Sequence, residues 1–167
     1  SPRSIIVSLI TDDPFGQYKR SWILFSRTIP LYDIYFVHRD VNVEELKALG
    51  ANQVELCFRS FSPDFHRPIL LTEEEANKYG FPVGFIGTYA PEREEFIAFL
   101  IKNRIPVRII GDGWQKGKHW GLIQSFYQGP SVYGEEYIRV INGFDIALHF
   151  LRHENRDQQD SRTFELP

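Results

Sequence analysis

The chain has 167 residues, 43% hydrophobic and 25% charged, with a formal net charge of −3. That length holds one ordinary domain or two small ones, and the balance is that of a folded, soluble chain. The mild acidity does not favour a polyanionic partner, so nucleic acid is not expected, and no apolar run approaches the ~20 residues that span a bilayer. The apolar start SIIVSLI runs straight into TDDP, which reads as a strand and a loop rather than a secretory leader. Cys57 is the only cysteine, which excludes an internal disulfide and fits a reducing, cytoplasmic setting. The chain holds no methionine, and its last stretch, SRTFELP, stops where a helix is beginning. Both features suggest a piece of a longer protein, since domains seldom end inside an element.

Short β-branched runs alternate with helical stretches. SIIVSLI (4–10) predicts a buried strand, and QYKRSWILFSRTIP a helix ending near Thr28, before Pro30. DIYFVH (33–38) predicts a second strand. VNVEELKALG predicts a compact helix capped by Asn42 and closed by Gly50, and QVELCF (53–58) a third strand with Cys57 in the core. RSFSPDFHRP reads as an irregular loop. PILLTEEEANKYGFP (68–82), with a charge run, a glycine and two prolines, reads as the link between two units.

The second unit opens with the strand VGFIGTY (83–89). A helix comes next, with Pro91, Glu92, Glu94 and Glu95 at its start and Lys102 and Arg104 near its end; Phe96, Ile97, Phe99 and Leu100 supply its apolar side. PVRIIG (106–111) predicts a strand, DGWQKGKHWG a glycine-rich loop and SFYQG a short strand. YGEEYIRVING (133–143) predicts a helix and FDIALHFL (144–151) a strand. This alternation argues for an α/β fold of two Rossmann-like parallel sheets with flanking crossover helices. The expected boundaries are 1–80 and 81–167.

In open parallel sheets ligands bind outside the carboxyl ends of the strands. That directs attention to Gly87-Thr88-Tyr89, Gly111-Asp112-Gly113-Trp114, Gly129-Pro130-Ser131 and 152–165. Glycine admits close approach of backbone to ligand, and a helix start near Ser161 would attract phosphate, with Arg162 as a bidentate cation. Glu165 suits sugar hydroxyls better than phosphate. These residues also have plainer roles: glycines in turns, Glu165 favoured by a helix dipole, Arg152, Arg156 and Arg162 in surface pairs with Glu154, Asp157 and Asp160, and Trp114 and Trp120 in packing. The histidines, His149 and His153 among them, show no metal-ligand spacing. In the first unit Asp12 and Asp13 come after a strand, where one could act as a base or bind hydroxyls, or simply form an Asp-Pro turn.

FIGTYAPEREEFI, IIGDGW and YGEEYIRVINGFDIALHFLRHENRDQQDSRTFELP resemble the CgeB-like glycosyltransferases, the spore-maturation-protein type of the group-1 glycosyltransferases. LRxxNxDxxxSRTFELP is the most specific part, and TDDPF, LYDIYFVHR, VEELKALGA and FSPDFHRP resemble the preceding stretch of that family. The resemblance implies a GT-B-like fold, an acceptor-side domain and then a nucleotide-sugar-binding domain, here without its C-terminal completion. It implies that Gly87 and Thr88 lie near the donor phosphates and that Gly129, Ser131 and Tyr133 hold the base. The backbone of Arg162, Thr163 and Phe164 would meet the diphosphate, and Glu165 the ribose. Asp157 stands eight residues earlier, where the family usually has Glu, and His149 stands where Asn is commoner.

The implied reaction moves a sugar from a nucleoside diphosphate to an acceptor hydroxyl on a glycan, protein or small molecule. It needs no cofactor, and Asp12 or Asp13 would face the acceptor. The competing readings are a sugar-nucleotide epimerase of related fold and a non-catalytic nucleotide-sugar-binding or surface-layer protein. An exposed sheet edge would permit homo-oligomers.

Overall fold

The computed structural model describes residues 4–16, 22–151 and 156–166. They fall into two compact units: Ser1–Ser60 with Leu151–Ser161, and Phe61–Phe150 with Arg162–Pro167. No helix among the described residues is long and apolar enough to cross a membrane.

The first unit is a three-stranded parallel sheet, in order β1 (Val7–Ile10), β2 (Ile34–Val37), β3 (Val54–Leu56). Successive residues of a strand face opposite sides. Tyr35 and Val37 therefore point together into a core with Ile29, Leu46 and Val54, whereas Val7 and Leu9 remain exposed. Helix α1 (Trp22–Thr28) contributes Phe25 to this core, and α2 (Asp40–Ala48) contributes Val43 and Leu46. The expected start of α1, at 17–21, lies outside the described residues. The Tyr35 hydroxyl is buried, and burial pushes its pKa up to about 12.

Three local expectations for this unit are corrected. Strand β1 is not buried: Val7 and Leu9 are exposed and Ser8 and Ile10 only half-buried. Asn42 does not cap α2, which begins two residues earlier after Arg39. Asn42 is instead fully buried inside the helix, where its amide donates to Asp13 and Glu45. Cys57 is half-buried rather than core, because it stands one residue past the end of β3.

The second unit contains β4 (Phe81–Ile86), β5 (Arg108–Ile110), β6 (Tyr127–Gly129) and β7 (Phe144–Leu148), all parallel, in the order β6-β5-β4-β7. Two parallel sheets flanked by helices are thus present, as the alternation of elements requires. Helices α4 (Pro91–Lys102) and α5 (Trp120–Ile123) cover one face, where Val83, Phe85, Ile97, Ile109, Trp114 and Ile123 pack. Helix α6 (Gly134–Asn142) packs through Val140 against Ile86 and Ile110 on the other face. Gly84 leaves room for the Phe144 ring, which a Cβ would overlap. On α4 the buried stripe is Arg93, Glu94, Ile97 and Ala98; Phe96 and Phe99 are 45% and 60% exposed, contrary to the apolar side expected of them.

The charged stretch 68–82 is more than a link. Thr72 and Glu75 form a reciprocal capping box, with the Glu75 N–H donating to Thr72 Oγ1 at 3.2 Å and the Thr72 N–H to Glu75 Oε2 at 3.0 Å. They start helix α3 (Glu73–Tyr79), which is tied to α6 by Arg139 donating to Glu75 at 2.8 Å. This contact and the packing of Tyr79 beside Val140 place 61–80 in the second compact unit.

Ile109 is fully buried at the centre of this unit. Ile109→Ala should lower stability by about 2–5 kcal/mol, read as a shift of the urea midpoint without a change in slope.

Candidate functional site

The loops at the carboxyl ends of the second sheet are stitched to one another by their backbones. The Gly87 N–H donates to Ile110 O at 2.8 Å, Tyr89 N–H to Asp112 O at 2.8 Å, and Gly111 N–H to Gly129 O at 2.9 Å. Gly111 has φ +145°, and a Cβ there would collide with the Gly87 carbonyl. That same carbonyl accepts from buried Trp114 Nε1 at 2.9 Å, so Trp114 is a packing residue with a polar anchor. Ser131 Oγ donates to Asp112 Oδ2 at 2.6 Å, joining the loops after β5 and β6. Arg93, only 7% exposed, donates to Thr88 O at 2.9 Å and to Phe150 O at 3.2 Å. It therefore bridges the segments after β4 and β7, the two strands at which the sheet order reverses.

Gly129 and Ser131 also border a cleft of about 380 Å³, walled by Lys78, Arg108, Glu136 and Val140. Tyr133, the residue before α6, lies outside that lining with its ring 78% exposed.

Glu165 ends the single-turn helix α7 (Arg162–Glu165). Its Oε2 accepts from Tyr137 Oη at 3.0 Å, and its Oε1 lies 3.7 Å from His66 Nε2. Arg162 donates to Tyr137 Oη at 3.3 Å and stacks over the same ring at 5.3 Å. Thr163 is exposed on this turn. Within the second unit the structure thus brings Arg162 and Glu165 together on α6, and Gly87, Thr88, Gly129 and Ser131 together at the strand ends.

Asp12, Asp13 and Asp157 belong to the first unit. Asp12 is exposed. The Asp13 side chain is fully buried, accepting from Arg156 Nε at 2.5 Å, Arg156 Nη2 at 2.9 Å, Asn42 Nδ2 at 2.9 Å and Phe15 N–H at 3.0 Å. Arg156 also pairs with Glu45 at 2.9 Å, and the almost fully buried Asp157 pairs with Arg39. Burial pushes the Asp13 carboxyl up, but the hydrogen bonds from Arg156, Asn42 and Phe15 and the Arg156 charge outweigh it, leaving the group below the ordinary carboxylate range. A carboxylate held this way is a weak proton acceptor. Arg152, Glu154 and His153 lie outside the described residues. Among the described residues no group of His, Cys, Asp and Glu could hold a metal ion.

Sequence reading singled out neither Arg93, Tyr137 nor His66, because their partners are distant along the chain. Tyr137 and Glu165 are 28 residues apart, and Arg93 and Phe150 are 57 apart.

Residues 93–167 match the glycosyl transferase-like family model. The matched segment takes in β5 to β7, α6, both glycine loops after β5 and β6, and Glu165; it begins at Arg93 and leaves Gly87 and Thr88 just outside. No curated protein and no solved structure matches the chain.

A native pKa below the unfolded value gives stability that is complete above the unfolded pKa of about 4 and is lost as pH falls through the native value. Asp13→Asn should therefore lower stability at pH 7 by about 1–3 kcal/mol. In parallel urea titrations the gap from the unsubstituted chain should close as the pH is taken below about 4.

Proposed function

We propose that the second unit binds a nucleoside-diphosphate sugar and that the protein transfers the sugar to an acceptor hydroxyl, as a CgeB-like member of the group-1 glycosyltransferases. The observation that carries this reading is the strand order β6-β5-β4-β7, whose reversal lies between β4 and β7. A crevice outside the carboxyl ends of such strands is where open α/β sheets take nucleotides. The match of 93–167 to a glycosyl transferase-like domain supports the choice of reaction class.

In this reading the diphosphate lies by Gly87, Thr88 and the start of α4, where Ala90 makes no capping side-chain hydrogen bond to the first-turn N–H groups. The base takes the cleft beside Gly129 and Ser131, with the exposed Tyr133 ring near its rim available to stack. Glu165 accepts from the ribose hydroxyls, beside Arg162 and Thr163. The acceptor hydroxyl attacks the anomeric carbon as the bond to the nucleoside diphosphate breaks, and fixed N–H groups stabilise the charge that develops on the departing phosphate. The first unit is the acceptor side. There Asp12 is the exposed carboxylate, while Asp13 and Asp157 serve to tie the segment after β7 to α2 and to the end of β2.

Thermal melts with UDP, GDP, dTDP and their sugars test this. One base should raise the melting temperature, with a stabilisation of about 2.7 kcal/mol at a hundredfold excess over Kd. Glu165→Ala should lose most of that shift. No shift with any of the three bases overturns the reading.

A further inference from the structure

Glu165 sits in a small, largely apolar pocket of about 190 Å³, walled by Phe61, Phe65, Ile141 and Phe164. A lone carboxylate there has many rotamers and few reasons to choose one. The Tyr137 hydroxyl bond restricts that freedom, and the segment Ser62–His66 walls one side of the pocket. Phe65 and His66 N–H donate to Ser62 O at 3.1 and 2.7 Å, closing a turn, and Ser62 N–H donates back to His66 Nδ1 at 2.9 Å. Asn142, at the end of α6, pins the backbone at Arg67 and Ile69, its Oδ1 accepting from Ile69 N–H at 3.0 Å and its Nδ2 donating to Arg67 O at 3.2 Å.

The bond from Ser62 settles the imidazole tautomer. Nδ1 is an acceptor, so the ring proton is on Nε2, the nitrogen facing Glu165 Oε1 at 3.7 Å. The other oxygen, Oε2, takes the Tyr137 hydroxyl proton, and Tyr137 is oriented in turn by Arg162. His66 packs edge-on against Tyr137, ring centroids 6.4 Å apart. Oε2 thus accepts from Tyr137, while the Nε2–H edge of His66 faces Oε1 from 3.7 Å, beyond direct hydrogen-bond reach, leaving lone pairs on both oxygens to accept from a vicinal diol.

We propose that His66 and Tyr137 are positioning residues that hold the Glu165 carboxylate for the two ribose hydroxyls of the donor, so that the site discriminates ribonucleotides from nucleotides lacking those hydroxyls. This rests on the donor-binding reading above. It uses His66 of FSPDFHRP, a stretch to which that reading assigns no role. Neither residue touches the reacting atoms, so the effect falls on donor selection and not on the chemical step.

The test is calorimetric titration of UDP and GDP, each against its 2′,3′-dideoxy analogue, into the unsubstituted chain, His66→Ala, His66→Gln, Tyr137→Phe and Glu165→Gln. One of the two ribonucleotides should bind at least about tenfold tighter than its dideoxy analogue. His66→Ala and Tyr137→Phe should each cut that ratio to roughly threefold or less while leaving the dideoxy Kd unchanged, and the His66→Gln amide should restore part of it. The unchanged dideoxy Kd separates this outcome from simple loss of fold. A full ratio in both variants, with loss only in Glu165→Gln, overturns the proposal and leaves the donor reading standing. Equal binding of both sugars by the unsubstituted chain overturns the proposal and the ribose role of Glu165, while nucleotide binding survives. No binding of either nucleotide overturns the proposal, and, where dTDP gives no shift in the melts either, it overturns the donor reading with it.

Discussion

At the end of β5 the backbone of Gly111 lies against the carbonyl of Gly87, and the loops at the carboxyl ends of the second sheet are arranged around that contact. Parallel pairing of β4 with β5 brings the two strand ends level, and only a residue without a Cβ permits the approach. Once it is made, the Gly87 carbonyl is free to receive Trp114, the Gly111 N–H reaches Gly129, and Asp112 reaches both Tyr89 and Ser131. The loops are thereby tied to one another by both main-chain and side-chain hydrogen bonds.

The buried charges obey a related logic in each unit. Arg93 has its guanidinium under the loops, satisfied in part by two main-chain carbonyls from the ends of non-adjacent chain segments. In the first unit Asp13 is compensated by Arg156 and Asn42, and Arg39 by Asp157. Removing water from a charge is costly unless well-placed partners offset it, and each of these charges meets partners from a distant segment of the chain. Residues 156–157 are anchored by them, whereas 162–165 are anchored on α6 through Tyr137. A pair of acidic residues, Asp157 and Glu165, that looks like one motif along the chain thus belongs to two units.

Much of the fold was legible. The alternation of β-branched runs with helical stretches marked the strands, because burial on both faces of a parallel sheet demands near-continuous apolar runs such as VGFI and RII flanked by turns. Pro91 and the acidic residues after it marked α4. Helix α3 was missed although Thr72 and Glu75 carry the capping-box spacing, because its residues show no apolar stripe and none of them is buried. Phe96 and Phe99 misled for the opposite reason: apolar residues are frequent on surfaces, so hydrophobicity alone does not identify the buried side of a helix.

What the sequence by itself determined is the class of fold, the glycines at strand ends and the resemblance carried by its last stretch. These depend on local conformational freedom and on the period of burial, both written in neighbouring residues. Only the tertiary structure decided the order β6-β5-β4-β7, the burial of Asp13 under Arg156, and the meeting of His66, Tyr137 and Glu165. The physical reason is that hydrogen bonds and ion pairs form between whichever groups the packed chain brings within about 3 Å. A one-dimensional pattern records the donors and acceptors but not the folding that selects among them.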